Sequence, residues 1–237
     1  MNLIRFSGEL FIYYVLIALG GGLVTALTVA LFEAIGVTAE VFLSQWLLPC
    51  GAAGAVLVGA WLVEAKQSVI ENMAPVLTRL FTPIFAALLI VFLGALAWVG
   101  GIDIGRDVLI VFDALLALVL ALFLYTISAR EADAPRRLFD FVLAALVIAA
   151  LIADAVALAA IAARISEFGF TPNRTVGLGF NLVLLVNLAW SVWLYVGFLR
   201  GERPFAQVER WQTAYLPVYA AWAAVVVLVF PPVFGFT

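Results

Sequence analysis

Long apolar stretches, separated by short polar connections, set the pattern of this chain. Seven stretches are about as long as a membrane-spanning helix: 10–32, 41–63, 80–102, 108–129, 141–163, 175–199 and 213–236. The hydrocarbon core of a bilayer is about 30 Å thick, so a helix needs about 20 apolar residues to cross it. The runs are continuous, whereas strands of a membrane barrel alternate over roughly ten residues. The pattern therefore predicts seven transmembrane helices, of which the last is interrupted by prolines.

The composition is typical of a protein that is embedded in a lipid bilayer. Of its 237 residues, 67% are hydrophobic and 11% are charged, whereas a soluble domain has about 25% charged residues. We therefore predict an all-α, polytopic transmembrane helix bundle that forms a single integral membrane domain over residues 1–237. Its predicted environment is the lipid bilayer, and no soluble domain extends from either face.

The basic residues are distributed unevenly between the two sides of the predicted bundle. Nine of the twelve lie before the first stretch or after the second, fourth and sixth: Arg5, Lys66, Arg79, Arg130, Arg136, Arg137, Arg200, Arg203 and Arg210. The other side has Arg106, Arg164 and Arg174. Since cytoplasmic loops carry the excess of Lys and Arg, the N-terminus is predicted in the cytoplasm and the C-terminus outside.

Several chemistries are excluded by residues that the sequence lacks. It has no histidine and a single cysteine, Cys50, so imidazole-based metal or haem sites, thiolate clusters and Ser–His or Cys–His catalysis are excluded. The only lysine, Lys66, lies in a connection, so a retinal Schiff base in the last span is excluded too. The basic residues are spread over short loops, which does not indicate nucleic-acid binding. We expect no catalytic residue, no metal and no cofactor, and the chain is not expected to be an enzyme.

Four polar side chains lie inside the predicted spans: Asp113 in the fourth, Asp154 in the fifth, and Asn181 and Asn187 in the sixth. Counted from the outer ends of these spans, their depths are roughly 9 to 20 Å. An ionised carboxylate at the bilayer centre costs about 2.5–3.5 kcal/mol, so these groups should face the bundle interior, pair, or hold a proton. One interpretation is a proton- or cation-handling site centred on Asp154. The other is a structural hydrogen-bond cluster that joins spans four, five and six.

Two local motifs predict specific backbone features. The run Gly20-Gly21-Gly22 lies in mid-membrane, where a glycine allows a close helix contact. In the connection between spans five and six, Gly169 is suited to end one helix in a left-handed cap. Thr171 is suited to cap the next helix, which has Pro172 at its first position. The polar residues of this outer corner are Arg164, Glu167, Asn173 and Arg174.

This corner resembles one known group of proteins. Residues 164–174 follow the pattern Arg-x-x-Glu-(aromatic)-Gly-x-Thr/Ser-Pro-Asn/Glu-Arg, which is similar to domain-of-unknown-function family 4153, a family of uncharacterised bacterial multi-pass membrane proteins. The resemblance extends over residues 80–237 and includes the segments 205–211 and 215–219. It implies a location in the bacterial inner membrane and no settled activity.

The polar residues leave several functions open. The cluster at membrane depth favours a permease-like or proton- or ion-linked transporter component. The alternative is a non-catalytic scaffold or subunit that binds another membrane protein or a second copy of itself, which the short loops and small-residue faces favour. A lipid- or envelope-linked enzyme that uses the outer-face carboxylates and arginines is a third hypothesis.

Overall fold

The computed structural model describes residues 3–65, 69–99, 106–131 and 134–235, and this part of the chain is helical without a strand. Seven helices are long and apolar enough to cross a membrane: Leu3–Ala34, Glu40–Glu64, Pro75–Val99, Val108–Ser128, Leu138–Phe168, Pro172–Arg200 and Ala206–Phe234. The predicted all-helical class is thus confirmed, as is the prediction of seven helices that are long and apolar enough to span a membrane. Residues 100–102 of the third predicted span, residue 236 of the last, and Lys66 lie outside the described residues.

The packing divides the chain into two compact units, Met1–Ile102 and Asp103–Thr237, while the prediction of a single integral membrane domain stays a prediction. Unit 1 contains helix α1 (Leu3–Ala34), the short α2 (Glu40–Phe42), a π-helical turn (Leu43–Leu47), α3 (Leu48–Ala65) and α4 (Val69–Val99). Helix α1 packs against both α3 and α4. Tyr13 of α1 and Leu62 and Val63 of α3 form one buried cluster.

The glycine run of α1 contributes a close contact at one of its three positions. A Cβ atom added to Gly20 would lie 2.2 Å from Cζ of the Phe81 ring in α4, whereas one added to Gly21 or Gly22 would meet no atom within 4 Å. The ring therefore occupies the space where a side chain would otherwise stand. The predicted packing role applies to Gly20 alone among the three.

We expect Gly20→Ala to lower the thermal stability of the purified protein in detergent. Overfilling a packed contact costs about 1–3 kcal/mol, and the Phe81 ring must move to admit the new methyl group. The matched controls are Gly21→Ala and Gly22→Ala, which gain helix propensity and should leave the melting temperature unchanged or raised. Equal melting temperatures for all three variants would contradict the assigned contact.

Unit 2 contains α5 (Arg106–Ser128), α6 (Leu138–Phe168), α7 (Pro172–Arg200), α8 (Ala206–Leu228) and the short α9 (Phe230–Phe234). Helices α6 and α7 form its most extensive contact, and α5 and α8 pack beside them. The small residues Ala149, Ala153 and Ala157 of α6 are buried within the protein, which lets neighbouring helices approach closely. Half of the most apolar stretch of α6 is buried, but only 6% of that of α8 and α9.

The last predicted span is formed by two helices. Helix α8 continues through Pro217, ends at Leu228, and is followed by α9 with Pro231 and Pro232 near its start. Pro231 and Pro232 have no N–H to donate to the carbonyls four residues earlier, in the last turn of α8, which accounts for the break at Val229. Gly235, with φ of 70°, ends α9 in the left-handed region.

The corner between α6 and α7 follows most of the predicted local rules. Gly169 ends α6 and Pro172 begins α7, as predicted. The predicted left-handed cap is wrong in one respect: Gly169 has φ of 76° but ψ of 178°, an extended conformation with positive φ that glycine adopts because it has no Cβ. Thr171 accepts a hydrogen bond on Oγ1 from the backbone N–H of Arg174 at 3.5 Å. The turn brings the end of α6 and the start of α7 to the same end of unit 2, which we call the corner end.

Candidate functional site

A cleft of about 720 Å³ lies at the corner end of unit 2. Helices α5, α6, α7 and α8 and the corner all contribute to it. Its polar lining consists of Asp113, Arg164, Thr171, Asn173 and Arg174, and its walls are apolar side chains that include Phe180 and Trp222. We call it the corner cleft. It brings together four residues that the sequence analysis placed in two separate groups.

At the inner part of the corner cleft, Asp113 pairs with an amide. The Nδ2 group of Asn181 donates to Oδ1 of Asp113 at 2.8 Å and to the backbone carbonyl of Gly177 at 2.9 Å. Asn181 is fully buried, and its Oδ1 atom has no hydrogen-bond partner in the described part of the chain. Two of the four predicted intramembrane residues are therefore in direct contact.

The arginine at the start of α7 holds the corner in place. Nη1 of Arg174 donates to the carbonyl oxygens of Phe168 and Gly169 at 3.1 and 2.9 Å, and its guanidinium lies 5.4 Å from the centre of the Phe168 ring. Arg164 and Asn173 also line the corner cleft, whereas Glu167 is exposed and does not. Three of the four predicted corner residues thus belong to the cleft.

Asp154 is the most unusual polar group of the unit. Its side chain is fully buried in α6, and neither of its carboxyl oxygens has a hydrogen-bond partner among the residues that the structure describes. It lies within electrostatic range of Asp113 and of the Tyr219 hydroxyl. It is therefore close to the other polar groups of unit 2 but makes no hydrogen bond with the asparagines that the sequence analysis grouped with it.

Asn187 belongs to a different network, which joins α7 to α8. Its Nδ2 group donates to Oε1 of Gln212 at 3.1 Å and to the Tyr219 hydroxyl at 2.8 Å, and its Oδ1 accepts from Nε1 of Trp211 at 2.8 Å. Ser191 lies one turn along α7 and accepts from Nε2 of Gln212 at 2.5 Å. Asn187, Ser191 and Gln212 are all buried, so their hydrogen bonds to one another take the place of hydrogen bonds to water.

The residues that join this network were missed by the sequence analysis, although a signal was present. Gln212, Tyr215 and Tyr219 recur at spacings of three and four along α8, which places them on one helix face. Ser191 follows Asn187 by four residues in α7 in the same way. These spacings mark two polar faces, but they do not show which helices face each other.

A second cluster lies at the end of unit 2 opposite the corner. Nη1 of Arg130 contacts Oδ1 of Asp140 at 2.5 Å, and the Tyr195 hydroxyl donates to the same oxygen at 3.2 Å. The guanidinium of Arg130 also lies over the rings of Phe198 and Phe205, 4.9 and 5.0 Å from their centres. A buried, hydrogen-bonded ion pair of this kind leaves a costly unpaired charge if one partner is removed, so we assign it a structural role.

Gly179 of α7 allows a side chain of the cleft wall to pack against the helix backbone. A Cβ atom added to Gly179 would lie 2.0 Å from Cζ2 of Trp222. The indole of α8 is thus packed directly against the α7 backbone, and Trp222 also lines the cleft.

In the described part of the chain, no three acidic or cysteine side chains form a group that could hold a metal ion.

The comparisons with known proteins add no relative. No family model, no curated protein and no solved structure matches this chain. The resemblance of the corner to the family of uncharacterised bacterial membrane proteins stays a prediction. Any function must therefore be argued from the residues of unit 2 themselves.

We expect Asn187→Ala to destabilise the protein, because the substitution leaves Gln212, Trp211 and Tyr219 without their shared partner. Hydrogen bonds between membrane helices contribute about 0.6 to 2 kcal/mol each, so a loss of about 1–3 kcal/mol is expected. Thermal unfolding in detergent measures it. Asn173→Ala, at an exposed position of the corner, is the matched control and should melt like the wild type. If Asn187→Ala has the same melting temperature as this control, the network does not stabilise the fold.

Proposed function

We propose that this chain is a permease-like, proton-linked transporter component of the bacterial inner membrane, with its N-terminus in the cytoplasm and its C-terminus outside. The seven apolar helices support the membrane location. The distribution of basic residues supports the orientation, because nine of twelve belong to one predicted side. In this orientation the corner cleft opens toward the outside.

One observation carries the proposal: the carboxyl group of Asp154 is fully buried and has no hydrogen-bond donor among the described residues. A carboxyl group that only held the helices together would be expected to make hydrogen bonds, since an unpaired buried polar group is costly. Acidic groups kept inside a membrane bundle are typical of proton relays. We therefore assign Asp154 the role of the proton carrier.

The surroundings of Asp154 support a path for the proton. Asp113, which interacts electrostatically with Asp154, lines the corner cleft. Tyr219, which also interacts electrostatically with Asp154, hydrogen-bonds to Asn187. The polar groups around Asp154 therefore include one that lines the cleft and one that belongs to the network between α7 and α8.

An observation on α8 favours the alternative role of a membrane scaffold. Only 6% of the most apolar stretch of α8 and α9 is buried within the protein, which leaves an apolar surface for lipid, a second copy or another membrane protein. The scaffold role makes no use of Asp154. A test of that residue therefore separates the two functions.

We expect Asp154→Asn to abolish proton movement while the fold is retained. The full chain is reconstituted in liposomes with a pH-sensitive dye inside, and the decay of an imposed pH gradient is followed. The amide is close in size to the carboxyl group but cannot release a proton, so the protein-dependent decay rate should fall roughly tenfold or more, in the range of a lost proton-transfer group.

Two further measurements complete this test. Glu202→Gln, at an exposed position of the opposite end, is the matched charge-removing control and should behave like the wild type. Circular dichroism shows whether each variant is folded. Unchanged decay for Asp154→Asn would exclude the proton-carrier role and favour the scaffold.

The proposed orientation predicts which loops a reagent reaches from outside. In a Cys50→Ala background, Ser166→Cys places a thiol in the last turn of α6 and Glu202→Cys places one after α7, both at exposed positions. A membrane-impermeant maleimide added to intact cells should label the first variant and not the second until the membrane is opened. The reverse pattern would invert the proposed topology.

A further inference from the structure

The corner cleft combines a polar interior with a rim that faces the apolar surroundings of the bundle. Ile110 of α5 and Val227 of α8 line it, and these side chains are 55% and 67% exposed. Exposed aliphatic residues in a membrane-spanning segment are normally in contact with acyl chains. A lipid can therefore reach the cleft from the side while its tails stay in the bilayer.

The corner side of the cleft is suited to an anion. The guanidinium groups of Arg164 and Arg174 carry positive charge there, and the first turn of α7 adds the partial positive charge of a helix N-terminus. Arg174 uses Nη1 for the two corner carbonyls, and guanidinium has further N–H donors on Nη2 and Nε. Arginine guanidinium groups bind phosphate, as they do carboxylate, in a planar, bidentate manner, and phosphate is the anionic group of the common membrane phospholipids.

The inner side of the cleft is suited to a hydrogen-bond donor with positive charge. Asp113 accepts from Asn181 on Oδ1, while its Oδ2 has no hydrogen bond within the described residues. Asp113 lines the cleft, so this oxygen belongs to a side chain that a ligand can meet. A carboxylate acceptor without a donor matches a primary ammonium, which has three N–H donors and no acceptor.

The backbone positions that carry or face the two charged sites lie about one helical turn apart. Arg174 precedes Gly177 by three residues on α7, and a Cβ atom at Gly177 would lie 4.0 Å from Oδ2 of Asp113. Three residues correspond to a rise of about 4.5 Å along the helix. On α6, Arg164 follows Ile161 by three residues, and Ile161 faces Gly177 at the same level. The ligand therefore carries its ammonium and its anion a few bonds apart.

We propose that the corner cleft binds the headgroup of a zwitterionic membrane lipid that has a primary ammonium and a phosphate, as in a phosphatidylethanolamine. The phosphate contacts Arg164 and Arg174, the ammonium reaches Asp113, and the acyl chains leave between α5 and α8. A purely anionic lipid would place no cation beside Asp113. A trimethylammonium headgroup has no N–H to donate to Oδ2 of Asp113.

The test measures lipid binding by the delipidated full chain with native mass spectrometry. Phosphatidylethanolamine, phosphatidylcholine and phosphatidylglycerol with identical acyl chains are titrated separately. Phosphatidylethanolamine should bind roughly tenfold tighter than either of the others, as expected for one charge-assisted hydrogen-bond site. Equal affinities for the three lipids would overturn the proposal.

The decisive variant is Asp113→Asn, which keeps an acceptor for Nδ2 of Asn181 but removes the negative charge. The preference for phosphatidylethanolamine over phosphatidylglycerol should fall roughly tenfold, and a retained preference would overturn the assigned role of Asp113. Gly177→Ala tests the same place without touching a charge. Its methyl group makes ordinary contacts with Ile161 and Asp113, so the fold is retained, and the filled space should weaken phosphatidylethanolamine binding several-fold.

Two controls complete this test. The first distinguishes a lipid from a soluble headgroup as the ligand, and the second distinguishes lipid binding from proton movement. Soluble phosphoethanolamine should displace phosphatidylethanolamine only at much higher concentration, and tighter binding of the soluble compound would overturn the lipid as the source. The inference deepens the proposed function but does not depend on proton movement, because binding is measured without a gradient. Asp154→Asn should bind phosphatidylethanolamine like the wild type even if proton movement is lost, so the two proposals fail independently.

Discussion

The hydrocarbon core of a bilayer offers no water to a polar side chain, so each polar group inside unit 2 depends on a partner that the helices bring to it. The contact between α7 and α8 follows from this constraint. Asn187 has its amide oxygen and nitrogen bonded to side chains of α8, and Ser191 and Gln212 complete the set. At the opposite end, Arg130 and Tyr195 both bond to Asp140, which joins α6 to α7, and Nε of Arg130 is left without a partner among the described residues.

Against this background, the acceptors within the spans of unit 2 that have no hydrogen-bond donor among the described residues are informative. They include both carboxyl oxygens of Asp154, Oδ1 of Asn181 and Oδ2 of Asp113, and of these residues Asp113 lines the corner cleft. Under the two proposals, each of the two aspartates gains a donor that the described residues do not supply. A proton and an ammonium are both donors, and this shared need links the proposed carrier to the proposed ligand.

The sequence predicted what depends on composition and local rules. The seven spans follow from apolar length alone, and the corner follows from Gly169, Thr171 and Pro172, whose effects act over a few residues. What it missed depends on the rotation of one helix against another. Depth alone placed Asn187 with Asp154, whereas the α7–α8 contact pairs it with Gln212 and Tyr219.

Trp222 belongs at once to the packing of α8 on α7 and to the lining of the corner cleft. Its indole lies in the space that a Cβ atom of Gly179 would take. Any larger residue at position 179 would require this ring, which is part of the cleft wall, to move. A substitution at Gly179, which does not line the cleft, would therefore change the volume of the cleft through Trp222. Within one lineage, headgroups of different bulk could be accommodated by exchanging a single hydrogen for a methyl group, with every charged residue of the cleft left unchanged.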